Sequence, residues 1–338
     1  MAGNLRLRPF FNGDILNVSH STPCLNPLVK IKFNLMPGCC KRIQGMDIKI
    51  HPIKTLTDLR KCHEIQRATW GYTDLMVFPY TQLISAANNG GVLLGAYDGP
   101  DLVGFLYGYL GMSGTKLYLF SQRMGVLPSY QNQGIGMKLK LAQREQMLRQ
   151  GIDLIVWTYD PLLGKNATLN IEKLGGLVRH YARDIYGAVH NPLQIGLSTD
   201  RFLLEWELMS DRVRERIRST TPRPWAEDWL DKYEFVNFAA WEGNLPRPMA
   251  SDLEMTEKTL LVQIPPDLNA IKKVDLGIAR GWRESTRDIF ETYFRRGYVV
   301  TGFARSSGPQ VPNIYKIERV ELRTTSDFPL WVSGVSQE

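Results

Sequence analysis

MGVLPSYQNQGIGMKLKLAQRE, residues Met124 to Glu145, sets a glycine-containing turn between a strand-like run and a helix-like one. Ile135, Leu139 and Ala142 recur at i, i+4 and i+7, and Gly151 supplies a stop, so a helix is expected from Gly134 to Gln150. Such a turn points several main-chain N–H groups at one spot, and the unpaired amides of the first helical turn add the positive end of the helix dipole. A diphosphate can be held there without any cationic side chain. Gly134 and Gly136 permit an approach that a Cβ would block. Tight packing of helix on strand is the alternative reading of the same two glycines.

Upstream, the alternation of DIKIHPI from Asp47 reads as a strand, and Thr57 is a candidate cap for a helix through Leu59, Cys62, His63 and Ile65. A second short helix is expected near Pro79 to Ala87. Three strand-like runs follow, Val92 to Tyr97, Leu102 to Leu110 and Lys116 to Val126. The turn signals Asn89-Gly90-Gly91 and Asp98-Gly99-Pro100 between them suit an antiparallel meander.

Downstream, the apolar run Asp153 to Thr158 reads as a buried strand. A loop at Asp160 to Lys165, a short helix Asn166 to Leu174 closed by Gly175-Gly176, and strands Leu177 to Tyr186 and Arg201 to Leu208 complete a first region. The expected fold is α/β, a mixed, mostly antiparallel sheet with helices on both faces, plus a smaller C-terminal α/β region from about residue 211 to 325. In that second region Pro222-Arg223-Pro224 and Pro246-Arg247-Pro248 read as loops and Leu260 to Pro265 as a strand. Pro266 is placed to start a helix, Gly281 is a candidate break before about Arg296, and Tyr298 to Ala304 reads as a strand. Residues 1–45 show neither period and are expected to be a disordered extension; residues 326–338 form a tail.

The net charge of +7 on 338 residues is unevenly spread. Residues 1–46 carry Arg6, Arg8, Lys30, Lys32, Lys41 and Arg42 against Asp14 alone, which leaves the body nearly neutral. That argues against a nucleic-acid partner, which needs many cations on one face. Cys24, Cys39, Cys40 and Cys62 build no disulfide framework, and the five histidines show no metal-ligand spacing, so no metal is expected. No run approaches the roughly 18 apolar residues of a membrane span, and no secretory leader pattern is present, so a cytoplasmic location and no membrane partner are expected.

Val126, Pro128, Gln131, Gly134 and Gly136 resemble the acyl-CoA-binding motif of the GNAT superfamily, a strand ending V-x-P followed by [QR]-x-x-G-x-[GA] and a helix. The Asn166 to Gly176 segment resembles the family's second signature, an Asn-led short helix closing on K-L-G. The resemblance covers about Asp47 to Leu208. VWTYDPL, NATLNIEKLGG and DRFLLEWEL, with the later IPPDL, GWREST and GYVV, look like larger predicted GNAT acetyltransferases with a C-terminal extension.

The resemblance implies a GNAT acyl-CoA-binding catalytic domain over 46–210. The main chain of Met124, Gly125 and Val126 would pair with the pantetheine amides, and the amides of Gln131, Asn132, Gln133, Gly134, Ile135, Gly136 and Met137 would hold the pyrophosphate of acetyl-CoA or another acyl-CoA. Asn166 would touch the cofactor arm, or else cap its helix. The implied activity is acyl transfer, acetyl first, to the amine of a small molecule such as an amino acid. A peptide or protein amine as acceptor, a longer acyl such as succinyl, and a non-catalytic acyl-CoA sensor are the alternatives. Many GNAT enzymes place a tyrosine four residues before the glycine of the short helix, where it protonates the departing thiolate; here that position is Ile171. Tyr159, then Tyr181, are the substitutes, with Tyr186 nearby and Asp160 as a water-positioning base or a turn residue before Pro161. The run Leu117 to Arg123 lacks the carboxylate that many members carry on their fourth strand. A weak base favours an amine of low pKa: deprotonating a lysine-like amine at pH 7.4 costs roughly 4 kcal/mol, an α-amino group only about 0.5–1.

Arg212, Arg214, Arg216 and Arg218 with Glu215 read as a solvated face rather than a phosphate site. Trp225, Trp229, Trp241 and Trp282 read as packing residues, with an aromatic acceptor wall as the other possibility.

Overall fold

The computed structural model describes residues 47–187, 196–219, 225–308 and 310–320. The expected extension over 1–45, the tail over 326–338 and the loop at Pro222-Arg223-Pro224 lie outside the described residues, as does the side chain of Trp225.

The alternating run from Asp47 forms strand β1 (Ile48–Pro52), and helix α1 (Leu56–Trp70) follows. Thr55 caps that helix rather than Thr57: its Oγ1 accepts from Asp58 N at 3.1 Å, and Thr57 is already helical. Gly71 ends α1 in the left-handed conformation, φ +67°, donating its N–H to Arg67 O. After α2 (Tyr80–Asn88) the expected meander is present as β2 (Val92–Asp98), β3 (Asp101–Ser113) and β4 (Lys116–Val126), all antiparallel, with β1 on the outer edge. β4 contains a bulge. Arg123 faces Tyr107 and Ser121 faces Gly108, so Gln122 is the extra residue.

Helix α3 (Ile135–Arg149) leads to β5 (Leu154–Tyr159), which pairs with β4 in parallel at only two positions, Leu119–Ile155 and Phe120–Val156. A short helix α4 (Gly164–Ala167) runs on as wide π-helical turns over Thr168–Lys173, with Leu174 N bonded to Leu169 O. β6 (Leu177–Ala182) is shorter than expected, and β7 (Arg201–Glu207) lies between it and β5, antiparallel to both.

The segment after Ser210 adds α5 (Asp211–Arg218), α6 (Trp225–Leu230), β8 (Glu234–Phe235), β9 (Ala239–Glu242), β10 (Leu245–Pro248), β11 (Thr259–Ile264), α7 (Leu268–Val274), α8 (Leu276–Arg295), β12 (Tyr298–Ala304) and β13 (Asn313–Arg319). Pro246 and Pro248 are in a strand, not a loop: β10 pairs only with β9, so their missing N–H groups cost no ladder bond on the far side. The helical region breaks at Asp275 rather than Gly281. Asp267 caps α7 and Asp275 caps α8 through bonds to Ala270 N and Ile278 N, and Gly281 sits inside the unbroken α8.

Four of these strands join the first region's sheet, whose order is β1-β2-β3-β4-β5-β7-β6-β12-β13-β11-β8. The seam is β6 against β12, at Val178–Val300. On either side of it the same pattern is laid down in opposite directions. A strand, one or more helices and two further strands give β5-β7-β6 on one side and β11-β13-β12 on the other. Each outer strand has a parallel neighbour paired at two positions, β4 on β5 and β8 on β11. The sheet is mixed and mostly antiparallel.

Buried residues of α1, α2 and one face of β2 and β3 form one core, including Leu59, Ile65, Leu83, Phe105 and Tyr107. The other face carries the larger core, in which α3, α4 and α8 cover β4 to β7 and β11 to β13. Phe202, Phe290, Phe303 and Tyr315 bridge the seam there, with Phe202 and Phe290 edge-to-face at 4.6 Å and Phe303 and Tyr315 at 4.8 Å. Each such fully buried aromatic contributes about 1.5–3 kcal/mol relative to exposure.

Candidate functional site

Beyond Phe120 and Val156 no hydrogen bond joins β4 to β5 among the described residues, and the strands part. β4 continues to Val126, passes through Leu127 and a single 3-10 turn Pro128–Tyr130, and enters α3. Asn132 (φ +63°) and Gly134 (φ +80°) are both left-handed, which turns the main chain inward. Lys138 is the first residue of α3 to donate to Gly134 O, at 3.1 Å; the N–H groups of Asn132 to Met137 have no acceptor among the described residues. A Cβ on Gly134 would meet nothing within 4 Å, so there is open space at that position. A Cβ on Gly136 would sit 3.3 Å from Met124 Cε. At Gly136 the neighbour is thus the strand's own Met124, as helix-on-strand packing requires, whereas the position of Gly134 is open.

Side chains close the two ends of this turn. Gln131 Nε2 donates to Val126 O at 3.1 Å, and its Oε1 accepts from Lys165 Nζ at 3.3 Å, which ties β4 to α4 across the gap. Gln133 Nε2 donates to Ser129 O. Val126 O also accepts from Thr69 Oγ1, so an arm pairing with that carbonyl competes with two side chains. Met124 and Gly125 carry no such side-chain bonds among the described residues. Asn166 is exposed in α4, its N–H bonded to Leu163 O; the helix starts at Gly164, so Asn166 is not its cap.

Lys140 lies beneath the point where the strands part. It is 2% exposed, its Nζ donates to Ser121 Oγ at 2.8 Å and Gln143 Oε1 at 3.2 Å, and it stands 3.5 Å from the ring centroid of Trp157. Burial pushes its pKa well below the ordinary lysine value.

Tyr159 ends β5 in the core on the side of α3 and α4, to which the fully buried Ile171 also belongs. Its hydroxyl approaches that of Tyr315, whose proton goes to Pro161 O at 2.8 Å, and it makes no hydrogen bond of good geometry. Burial raises its pKa, so the phenol stays protonated. Tyr181 is in the seam instead, donating to Asp200 Oδ2 at 2.7 Å, its pKa raised by burial and by that carboxylate. Asp160 Oδ1 accepts from Leu162 N at 2.9 Å, the turn role before Pro161, while its Oδ2 is 2.6 Å from Arg283 Nη2 on α8. Burial pushes the Asp160 carboxyl up, but Arg283 and then Arg201 outweigh it and hold it below the usual aspartate range. So placed, Asp160 is engaged rather than free to take a proton.

The opposite face of the sheet, on the side of α1 and α2, is aromatic. Thr158 Oγ1 is 2.9 Å from Tyr186 OH, which stands in the turn beyond β6; Tyr109 packs on Phe120 at 5.5 Å, and the Arg201 guanidinium is 5.5 Å from the Tyr186 ring. Arg123 leaves β4 on this face, among Trp70, Tyr72 and Phe78. The sequence reading did not find Arg123, Lys140 or Arg283. Arg283 and its partner Asp160 are 123 residues apart, and nothing local marks either.

Elsewhere, α5 is the solvated helix expected, although Arg212 donates inward to Gly175 O at 2.9 Å. Trp229 and Trp282 are core residues, Trp282 donating to Pro246 O at 2.8 Å, and Trp241 is half-buried on β9. Among the described residues no group of three His, Cys, Asp or Glu could hold a metal ion, and no helix is long and apolar enough to cross a membrane.

Residues 59–168 match the model of the acetyltransferase (GNAT) family. No curated protein matches the chain. Among solved structures, the chain is similar to the ribosomal-protein-S18-alanine N-acetyltransferase of Escherichia coli, at 15% identity over 48% of this chain and 94% of that one, TM-score 0.39. It is similar to a GNAT family acetyltransferase from Elizabethkingia anophelis with acetyl-CoA bound, at 17% identity over 47% and 97%, TM-score 0.37. It is also similar to the PaiA N-acetyltransferase of Thermoplasma acidophilum in complex with coenzyme A, at 17% over 48% and 99%, TM-score 0.37. The match places a GNAT acetyltransferase domain at residues 59–168 of this chain.

Proposed function

We propose that this chain is a cytoplasmic acyl-CoA-dependent N-acyltransferase that passes an acetyl group to the amine of a small molecule such as an amino acid. The observation that carries the reading is the parting of β4 from β5 beside unpaired N–H groups from Asn132 to Met137. The amides and the dipole of α3 suit a diphosphate, and the gap suits an extended pantetheine arm along Met124 and Gly125. In the reaction the neutral amine attacks the thioester carbonyl, the new N–C bond replaces the C–S bond, the amine proton leaves to water, and the thiolate takes a proton. Tyr159 is assigned that last proton, because its phenol is protonated and without a well-formed bond on the α4 side.

A second reading, a non-catalytic acyl-CoA sensor, is favoured by Ile171 at the usual tyrosine position and by the lack of a carboxylate from Leu117 to Arg123. Native mass spectrometry of the purified chain would identify a retained acyl-CoA and distinguish acetyl from a longer acyl such as succinyl. Thiol release with an amine panel then decides between enzyme and sensor. Turnover with any amine supports the enzyme; tight acyl-CoA binding with no turnover across the panel supports the sensor.

A further inference from the structure

Arg123 is a half-buried cation with no counter-charge among the described residues. Its side chain leaves β4 one residue past the Gln122 bulge and three past the last pair with β5, so it stands beside the gap on the face away from α3. The guanidinium carbon is 5.6, 5.2 and 5.8 Å from the ring centroids of Trp70, Tyr72 and Phe78. Nη1 donates to Tyr72 OH at 2.6 Å, whereas the buried Nε finds no acceptor, and no carboxylate comes within ion-pair distance among the described residues. Three other inward arginines do face a carboxylate. Arg283 faces Asp160 at 2.6 Å, Arg287 faces Asp200 at 2.8 Å and Arg179 faces Glu205 at 3.2 Å.

A guanidinium presents five N–H donors in a planar fork that matches a carboxylate, and most of that fork is unused here. Drawing a charge from water is costly unless it is paired, and three rings offset only part of that cost. The box has an apolar wall for a carbon skeleton and a cation at its end. α3 covers the other face of the sheet, and Arg123 stands beside the gap on the face of α1 and α2.

We infer that Arg123 anchors a carboxylate of the reacting pair, one carried either by the amine, as in an α-amino acid, or by the far end of a dicarboxylic acyl group. Resting on the proposed acyl-CoA reading, this names the substrate class of the same site: one of the two reactants is an acid.

The test is calorimetric binding to the full chain, wild type, Arg123→Met and Arg123→Lys. One arm titrates α-amino acids and their amides into CoA-saturated protein; the other compares acetyl-CoA with succinyl-CoA. The expected result is that in one arm the carboxylate strengthens binding about ten- to hundred-fold, the range of a charged hydrogen-bonded pair. That gain should vanish in Arg123→Met and return in part in Arg123→Lys. A cooperative thermal transition in each variant confirms folding. The inference is overturned if neither carboxylate adds affinity, or if the gain survives in a folded Arg123→Met. Carboxylate selectivity without thiol release would leave the inference standing and sink the enzyme reading instead.

Discussion

Asp160 Oδ2 lies 2.6 Å from Arg283 Nη2, and this one buried contact joins the end of β5 to α8 across the seam. Both side chains are nearly inaccessible, so removing either leaves the other charged and unsolvated. Arg283→Met should therefore destabilise the chain by about 3–5 kcal/mol. The Asp160 carboxyl is held below its usual pKa when folded. Its contribution is thus complete above the unfolded value, about 3.9, and is lost as pH falls through the folded one. Urea unfolding of wild type and Asp160→Asn should show a gap that is constant near neutrality and shrinks below about pH 4. A gap independent of pH would show that the pair carries no charge.

Lys140 predicts the opposite slope. Its folded pKa is depressed below the unfolded value of about 10.4, so between the two the unfolded chain binds more protons and stability rises with pH. Lys140→Met should be more stable than wild type at pH 7 by about 1 kcal/mol or more, since Gln143 Nε2 and Ser121 Oγ remain bonded to each other at 3.1 Å. The advantage should narrow on going to pH 9.5. If wild type is the more stable at pH 7 and the difference does not change, the amine is charged and held by Trp157.

The two-fold pattern of the sheet makes a prediction about stoichiometry. β8 and β11 diverge after Leu260–Glu234 and Leu261–Phe235, as β4 and β5 do, but there side chains fill the opening. Asn237 Nδ2 donates to Gln263 O at 3.0 Å, Gln263 N donates to Asn237 Oδ1 at 2.8 Å, and Ala239 N donates to Gln263 Oε1 at 2.8 Å. The β9–β10 hairpin, not a helix N-terminus, follows β8. Calorimetry should give one CoA per chain, and a Gly134 variant should abolish all of it. Gly134→Val adds a branched side chain to the open cradle and also strain of about 1–2 kcal/mol at φ +80°. Gly134→Asn, a residue that tolerates the left-handed region, separates the two effects. Binding of CoA at full affinity to both variants would remove the cradle from the site.

What could be read from the sequence was local. The meander, the strand–turn–helix at Met124 to Glu145 and the buried strand Leu154–Tyr159 carry their own periodicity and turn residues, and the structure has them. Cap positions erred by a residue or two because Thr55 and Thr57, or Pro266 and Asp267, are both plausible caps or helix starts by type, and only the hydrogen bond decides. The joining of the C-terminal strands to the same sheet was invisible, since Val178 and Val300 advertise burial but not each other. The same holds for Arg123, whose box comes from α1, the segment before α2 and β4 together.

Tyr159 tests the chemistry most directly. In the proposed transfer a thiolate leaves as the N–C bond forms, and a phenol at the end of β5 can supply its proton. The raised pKa keeps the phenol protonated across the neutral range, which excludes a tyrosinate base. Tyr159→Phe keeps the ring, which packs edge-to-face on Phe202 at 5.6 Å, and removes only the hydroxyl. The hydroxyl has no well-formed bond to lose, so stability should change by less than about 1 kcal/mol. A general acid is worth about 10²-fold or more in kcat, so kcat should fall by that factor while CoA affinity and the KM for the amine stay nearly constant. Tyr181→Phe is the control: it should cost stability through the lost bond to Asp200, with a smaller effect on kcat. Wild-type turnover in Tyr159→Phe alongside a large loss in Tyr181→Phe would transfer the proton to Tyr181 and to the seam.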